Sequence, residues 1–543
     1  MRLRLSHLGF LLLTFLLFAC SGGGPTPVDM GIEKQIYHVG NGGEPSGIDP
    51  HTTTGMPEYH IQMALYEGLV SKDPKSLEIE PGTAERWEVS QDGLQFTFHI
   101  RENAKWSNGD DLTAEDFVWS WMRALSPALG NQYAYSLFTI VHAEDFYLGK
   151  IKDFSQVGVK ALDKKTLQVT LHSPTPYFLS LLDHHSMFPV HRASIEQAGD
   201  FDDRSSQWAL PEKFVGNGAF TLKSWEPNKL LVVEKSEHYW DASTVKLNEI
   251  HFHPIDNGAT EERMFRAGQL HKTNSLPIEK IAGYSESKAP EFHLSPYLGT
   301  YFYRLNTTIK PLNDVRVRKA LAMSIDRELL VEKVTKGGQL AAYNFTPPDT
   351  QGYTPRAKLE FNIEKAQKLL AEAGYPNGEG FPKLEILFNT FEDHRKIAVT
   401  VQQMWKQALN IDVTMQNQDW KVYLSNTRTM NYQIARAAWI GDYLDPNTFL
   451  DMFVTNGGNN ETGWSSTKYD ELIASAGNTM DQSERYEFFQ NAEKILVEEL
   501  PIIPIYTYTT KYLLHTSVKG VDDNIMDYHP YKYISLVDPK KAH

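Results

Sequence analysis

The stretch KLEILFNTFEDHRKIAVTVQQMWKQALNIDVTMQNQ, residues 383–418, decides the fold class of this chain. Leu384, Ile386 and Phe388 occupy alternate positions, as on one face of a β-strand. Apolar residues such as Ile397 and Val401 then recur at helical spacing, and residues 410–418 return to a strand pattern. A strand, a helix and a second strand within about forty residues are typical of a β-α-β unit, whose strands run parallel. We therefore predict an α/β fold.

A third strand follows this unit and ends near an acid. DWKVYLSNTRT, residues 419–429, predicts a short helix, and NYQIARAAW, residues 431–439, predicts the strand. Asp442 comes just after it, where ligands of open α/β sheets bind. A buried acid needs a cation or several donors. That cation is either an arginine of this chain, Arg436 or Arg428, or a group of a ligand, and the residues leave both readings open.

Other side chains near Asp442 in the sequence supply complementary chemistry. They are Arg436, Arg428, His394, Trp439 and Trp420. Arginine binds carboxylates bidentately, and an aspartate holds an ammonium through charge-assisted hydrogen bonds. The set suits a ligand that is cationic at one end and anionic at the other.

The composition of the 543 residues is that of a globular protein with two or three domains, 41% hydrophobic and 22% charged. The formal net charge of −15 argues against nucleic acid or an anionic membrane as the main partner. Many of the 11 Trp and 26 Tyr must be structural, but such residues also line clefts for peptides or sugars.

The N-terminus predicts export. Arg2 and Arg4 precede an apolar run over residues 8–18, which suits a signal peptide and is too short for a membrane span. The run ends in LFAC, which resembles a bacterial lipobox, and Cys20 is the sole cysteine, so no internal disulfide can form. We predict a lipoprotein signal peptide over residues 1–19 and a lipidated, flexible tether over 20–30. The alternative is an ordinary secretory signal with a chance cysteine.

Catalytic motifs are missing from the sequence. It contains no G-x-S-x-G, G-x-x-x-x-G-K or H-E-x-x-H pattern. His184, His185 and His191, in DHHSMFPVH, fit no common zinc spacing, and we interpret them as structural or surface residues. We expect a protein that is not an enzyme and needs no metal or cofactor.

Long collinear strings resemble one protein family over nearly the whole chain after the signal. They include WSNGDDLTAEDFVWSW at 106–121, NDVRVRKAL at 313–321 and IGDYLDPNTFLDMF at 440–453. These strings are similar to the periplasmic oligopeptide-binding proteins of ABC importers, the cluster C solute-binding proteins. ARAAWIGDYLDP, residues 435–446, is closer to the oligopeptide subgroup than to the dipeptide or nickel binders.

The resemblance implies a two-lobed periplasmic-binding-protein fold with a hinge and an additional inserted domain. Carried onto this chain, lobe one (domain I) takes residues 31–56, 187–298 and 509–543. The inserted domain II takes residues 57–186, and lobe two (domain III) takes residues 299–508. The two chain crossings are expected near GTYFYRLN at 299–306 and PIIPIYTY at 501–508.

The resemblance also implies roles for single residues. Asp442 matches the acid that holds the peptide ammonium, and the remaining ligand-binding residues are Arg436, Arg428 and His394 for the carboxylate, Trp439, Trp420 and Tyr133 for side-chain pockets, and Glu44 on a lobe-one strand that faces the ligand. Three departures affect this set. Pro45 lacks an N–H, and the spacing from Arg428 to Arg436 is one residue shorter than usual. A lysine that the family also uses for carboxylates aligns near Lys336 but not at it, so it is left out of the set.

The expected function is that of a lipid-anchored monomer in the periplasm or at the cell surface. It would capture oligopeptides between its lobes and deliver them to an ABC permease and its ATPases, with no role in nucleic-acid binding. Alternatives are a murein-peptide or dipeptide binder of the same family, an extracytoplasmic peptidase, and an adhesive surface lipoprotein.

Overall fold

A computed structural model describes residues 24–541, so the predicted signal peptide and Cys20 lie outside the described residues. The strands in chain order are β1 (Ile36–Gly40), β2 (Val70–Lys72), β3 (Ile79–Pro81), β4 (Ala84–Val89), β5 (Gln95–Ile100), β6 (Val159–Ala161), β7 (Thr166–Thr170), β8 (Phe220–Glu226), β9 (Leu230–Lys235), β10 (Glu249–His253), β11 (Phe292–Leu305), β12 (Leu340–Ala341), β13 (Leu384–Asn389), β14 (Val413–Gln418), β15 (Ile434–Ile440), β16 (Ile502–Leu513), β17 (Val518–Lys519) and β18 (Ser535–Leu536). The helices are α1 (Pro27–Lys34), α2 (Met56–Leu65), α3 (Ala114–Ala124), α4 (Ala143–Tyr147), α5 (Phe178–Leu181), α6 (Arg192–Ala198), α7 (Gly258–Arg266), α8 (Ile278–Ser287), α9 (Val315–Met323), α10 (Arg327–Leu329), α11 (Ile363–Glu372), α12 (Glu392–Leu409), α13 (Trp420–Arg428), α14 (Asn447–Leu450), α15 (Thr467–Gly477) and α16 (Gln482–Glu499).

The predicted β-α-β unit is confirmed. β13 pairs in parallel with β14 over its whole length and with β15 at Ile386 and Leu387. α12 connects β13 to β14, with acids in its first turn that suit the positive end of the helix dipole. Its buried residues include Ile397, Val401 and Trp405, which recur at the helical spacing read from the sequence. The three strands therefore end at the same edge of the sheet.

The sheet that contains this unit is mixed, with the order β12-β16-β11-β15-β13-β14. Its two long strands, β11 and β16, pair antiparallel from Phe292 and Leu513 at one end to Arg304 and Ile502 at the other. The pairing shifts register between Pro296 and Thr300. Chain crossings were expected at 299–306 and 501–508, and all but residues 306 and 501 of these stretches lie in β11 and β16. We call the part of the chain around this sheet lobe two.

Two further sheets form separate layers. The order β1-β10-β9-β8 defines lobe one, and the order β4-β5-β7-β6 lies in the inserted segment, residues 57–186. Each of the three sheets has a hydrophobic core of its own, and a fourth core lies under α15 and α16. The two-lobed α/β fold class is confirmed, whereas the bounds given above for the domains stay a prediction.

The segment expected to be a flexible tether is partly ordered. α1 begins at Pro27, inside residues 20–30, and Thr26 and Asp29 cap it reciprocally. The Val28 N–H donates to the carbonyl of Gly268 at 2.9 Å, which docks the helix on lobe one. A flexible tether therefore ends before residue 26. Across residues 24–541, no helix combines the length and the apolar character that crossing a membrane requires.

Candidate functional site

A cleft between the two lobes encloses a cavity of about 620 Å³. Lobe one contributes the turn after β1, residues 40–44, and the segment 272–276. The first residues of α2, at the start of the inserted segment, lie beside them. Lobe two contributes the residues that follow β13, β14 and β15, and β16 also lines the cavity between residues 506 and 512. The carboxyl ends of parallel strands thus form one wall, as expected for a ligand site in an open α/β sheet.

Asp442 lies at this wall and is paired with a histidine. Its Oδ1 is 3.3 Å from His184 Nε2, and its backbone N–H donates to Thr448 Oγ1 at 2.9 Å. The carboxylate is 16% exposed, so the contact is largely shielded from water. Within the described residues, neither Arg436 nor Arg428 lies within 4.0 Å of the Asp442 carboxylate, so the reading in which Asp442 pairs with one of them is wrong. The side chain that faces the carboxylate comes from the inserted segment.

His184 belongs to an aromatic corner beside the acid. Its Nδ1 lies 2.8 Å from Ser186 Oγ, and its ring centroid is 4.4 Å from that of Tyr133. The ring centroid of Tyr133 lies 6.1 Å from that of Trp439. Trp439 Nε1 donates to the carbonyl of Thr448 at 2.6 Å. Tyr133, Trp439 and Asp442, all expected in the site, therefore lie together along the cavity.

Arg436 lies on β15, six residues before Asp442, which is about 20 Å of extended chain. Its Nη1 donates to Asn389 Oδ1 at 3.2 Å and its Nη2 to Tyr508 Oη at 2.8 Å. Its guanidinium carbon is 5.0 Å from the centre of the Tyr301 ring. Two protein acceptors thus orient the guanidinium, while its buried Nε has no hydrogen-bond partner in the described part of the chain.

His394 lies in the first turn of α12 and lines the same end of the cavity. Burial holds the pKa of His394 well below its usual value, and the charges of Arg436 and Lys511 act in the same direction. The imidazole is therefore neutral near pH 7 and can donate one hydrogen bond. Its buried Nδ1 lacks a partner among residues 24–541.

Trp420, the first residue of α13, connects the two sides of the cleft. Its ring stacks on Tyr423 with 5.7 Å between centroids, and its Nε1 donates to Glu58 Oε1 at 3.3 Å. Glu58 is fully buried, and burial raises its pKa. This contact joins lobe two to the start of the inserted segment.

Two of the expected residues are placed differently from the rest. Arg428, at the end of α13, is not among the residues that line the cavity, and the charges that act on it most are those of Glu461 and Glu58. Glu44 does line the cavity, but the expectation that it lies on a strand is wrong, because β1 ends at Gly40. The Glu44 carboxylate accepts hydrogen bonds from the Trp225 indole and the Asn228 N–H, both at 2.9 Å.

The histidines of DHHSMFPVH have separate environments. His185 Nε2 lies 3.1 Å from the carbonyl of Thr53, a distant residue in the chain, and His191 Nδ1 lies 2.8 Å from Ser194 Oγ in the next turn. In residues 24–541, no group of three or more potential ligands is arranged to hold a metal ion. His184 was missed as a site residue, because its pairing with Asp442 depends on how the inserted segment packs on lobe two.

Comparison with known proteins places this fold and this cleft in one family. The family described as bacterial extracellular solute-binding proteins, family 5, matches residues 78–461. The periplasmic oligopeptide-binding protein OppA of Salmonella typhimurium is 37% identical over 520 residues, which cover 93% of either chain. The crystal structure of Haemophilus influenzae OppA in complex with RPPGFSPFR is 36% identical, with a TM-score of 0.88 over 93% of this chain and 99% of that chain.

Two structures of a third relative indicate how the lobes are arranged. The murein tripeptide-binding protein MppA of Escherichia coli is 37% identical and superposes with a TM-score of 0.88 over 93% of this chain and 99% of that chain. The unliganded open form of MppA superposes with a TM-score of only 0.63, over 94% of this chain and 98% of that chain. The identity is the same in both comparisons, so the difference lies in the arrangement of the lobes. The lobes described here are not arranged as in that open form, and the cleft is closed.

Proposed function

The chain belongs to the bacterial extracellular solute-binding proteins, family 5, and on that premise we infer that it captures oligopeptides in the cleft and delivers them to an ABC importer. The observation that carries this proposal is the placement of Asp442 and Arg436 along one cavity. A peptide of any sequence has an ammonium at one end and a carboxylate at the other. Opposite charges along one cleft therefore suit peptides as a class.

The backbone of β15 supports the same ligand. β13 pairs with β15 only at Ile434 and Ala435, so beyond those residues one edge of β15 is not paired by β13. An extended peptide can add to such an edge through main-chain hydrogen bonds, which do not depend on side-chain identity. Water in the remaining space lets side chains of different size fit.

In this proposal the Asp442 carboxylate contacts two groups in the closed protein, the His184 imidazole and the ligand ammonium. A ligand ammonium would share the carboxylate with the imidazole, and both would lie beside Tyr133 and Trp439. In this proposal Arg436 and His394 bind the carboxylate end. Arg428 and Glu44 stay in the proposed set with weaker support, since Arg428 lies outside the cavity lining and Glu44 already accepts two hydrogen bonds.

A murein-derived peptide is a second candidate ligand. The murein tripeptide-binding protein superposes with the same TM-score, 0.88, as the Haemophilus complex. Both candidates present an amino terminus and carboxylates, so they would use the same charged groups.

The proposal includes export, anchoring and the absence of catalysis. Relatives are named as periplasmic proteins, which supports a location outside the cytoplasmic membrane. LFAC supports lipidation of Cys20, and the family is one of binding proteins, which supports a carrier without turnover. The monomeric state stays a prediction. Intact-mass analysis of the membrane fraction should find a diacylglycerol on Cys20, and Cys20→Ser should release the protein from the membrane.

Native mass spectrometry of the protein as purified tests the ligand. We expect bound masses that dissociate on denaturation and fragment as short peptides. Incubation with a peptide mixture should return every peptide intact. Bound masses that are not peptides, or cleavage of the mixture, would contradict the proposal and favour another ligand or a peptidase.

A further inference from the structure

Lys511 is a charged group of the cleft that neither the sequence nor the comparisons assign. It lies on β16, opposite Leu294 of β11, and it lines the cavity. Its stem packs on lobe two, because a Cβ built on Gly337 would lie 3.2 Å from Lys511 Cδ. This contact restricts the positions that the Lys511 ammonium can occupy.

The ammonium has no protein counter-ion at contact distance. Across the described residues, no carboxylate oxygen lies within 4.0 Å of Lys511 Nζ, and its side chain donates no hydrogen bond. Burial lowers the pKa of Lys511, and Asp393 acts in the opposite direction. Asp393 lines the same cavity, and burial raises its pKa to about 6. Lys511 and Asp393 therefore do not form a salt bridge with each other.

Lys272 provides a contrast within the same cavity. Its Nζ lies 4.3 Å from the centre of the Tyr512 ring, where a cation–π contact stabilises it. The Lys272 charge also helps to hold the pKa of Asp527 at about 2, against the effect of burial. Lys272 therefore has protein partners that Lys511 lacks.

Lys511 also lies near the cationic end of the cleft. Together with burial, the charges of Arg436 and Lys511 lower the pKa of His394, so both act on one imidazole. The two terminal nitrogens of Arg436 already donate to Asn389 and Tyr508. The ammonium of Lys511, with three donors, is the more available cation there.

We propose that Lys511 binds a carboxylate of the captured peptide, either its C-terminal carboxylate or an acidic side chain. This assignment rests on the proposed function. A ligand carboxylate at hydrogen-bond distance would neutralise the half-buried ammonium and form charge-assisted bonds with it. A C-terminal carboxylate and an acidic side chain would make the same contacts with Lys511, and the peptides used in the test distinguish the two.

Isothermal titration calorimetry on the full-length protein tests this. The wild type is first titrated with alanine peptides of two to five residues, to find the length that binds best. At that length the probes are the free peptide, its C-terminal amide, and amides with one glutamate at the second or third position. The variants are Lys511→Met, Lys511→Arg, and Lys421→Met as the control, because Lys421 is an exposed lysine of α13 outside the cavity lining. Thermal melts check that each variant folds.

We expect Lys511→Met to bind the carboxylate-bearing probe about tenfold to a hundredfold more weakly, with Lys511→Arg intermediate and Lys421→Met unchanged. A loss confined to the free peptide identifies the C terminus, and a loss confined to a glutamate-bearing amide identifies the side chain. Equal affinity of wild type and Lys511→Met for every probe would overturn the assignment of Lys511 but not the proposed function. An equal loss of affinity for all probes would have the same consequence. A wild type that binds no peptide would overturn the proposed function and this assignment with it.

Discussion

His184 Nε2 lies 3.3 Å from Asp442 Oδ1, so the acid at the end of β15 is held by a residue of the inserted segment. The contact joins two parts of the molecule that lie on opposite sides of the cleft. In this closed arrangement Asp442 therefore has a protein neighbour, and it lies within a largely shielded corner.

We expect His184→Ala to weaken peptide binding by about twofold to tenfold, because a contact that positions the Asp442 carboxylate is lost. Calorimetry measures this. His172→Ala serves as the control, because His172 is an exposed histidine of the same inserted segment. Unchanged affinity in His184→Ala would show that the pair does not position the acid.

Gly55→Ala should oppose closure. A Cβ at this position would lie 2.1 Å from Glu58 Oε2 and 2.8 Å from the Trp420 ring, which lies across the cleft. Overpacking of this kind costs about 1–3 kcal/mol, so affinity should fall about fivefold to a hundredfold. Small-angle scattering with saturating peptide should give a larger radius of gyration than the wild type. Gly283→Ala, where a Cβ meets nothing within 4 Å, is the control, and an equally compact Gly55→Ala would contradict the prediction.

The sequence predicted the parts of the fold that local patterns encode. The β-α-β unit and the place of Asp442 followed from the spacing of residues such as Ile386 and Val401. The expectation that Glu44 lies on a strand was wrong, because Gly42 has a φ of +73° and the chain turns before Glu44. His184 and Lys511 were missed because their partners come from distant segments. No local periodicity marks such a contact.

The contribution of Glu493 to stability should fall as the pH rises from about 4.5 to 7. Burial raises the pKa of Glu493 to about 7, against hydrogen bonds from Phe345 and Thr346. At this site the folded protein keeps a proton that the unfolded chain, with the usual pKa of 4.5, releases, so the contribution of Glu493 to the free energy of unfolding decreases through this window. The loss amounts to about 3 kcal/mol for such a group. Glu261, with a pKa also raised by burial to about 7, contributes in the same direction.

Urea unfolding at a series of pH values checks this. Between pH 5 and 8, the free energy of unfolding of Glu493→Gln should rise relative to that of the wild type. Glu498→Gln, on the exposed face of the same helix α16, should keep the wild-type pH dependence. A Glu493→Gln protein with the full pH dependence would contradict the assignment.

Asp445→Ala should destabilise lobe two without removing a residue of the cavity lining. Asp445 accepts hydrogen bonds from both terminal nitrogens of Arg485, at 2.7 and 2.6 Å, and both side chains are buried. Loss of one partner leaves a buried charge and costs about 3–5 kcal/mol. The exposed Arg356–Glu487 pair offers a comparison, since Glu487→Ala should cost under about 1 kcal/mol. If urea unfolding showed that both variants lose the same free energy of unfolding, the prediction that the buried pair matters more than the exposed pair would be contradicted.

The central claim is that the cleft holds a peptide by its ammonium at Asp442. Calorimetric titration of the wild type and Asp442→Ala, each with one alanine peptide and its N-acetylated form, tests it most directly. We predict that Asp442→Ala loses about 3–5 kcal/mol of binding free energy for the free peptide. Acetylation should weaken wild-type binding by a similar amount, and it should have little further effect in Asp442→Ala. Unchanged affinity of Asp442→Ala for the free peptide would contradict the claim.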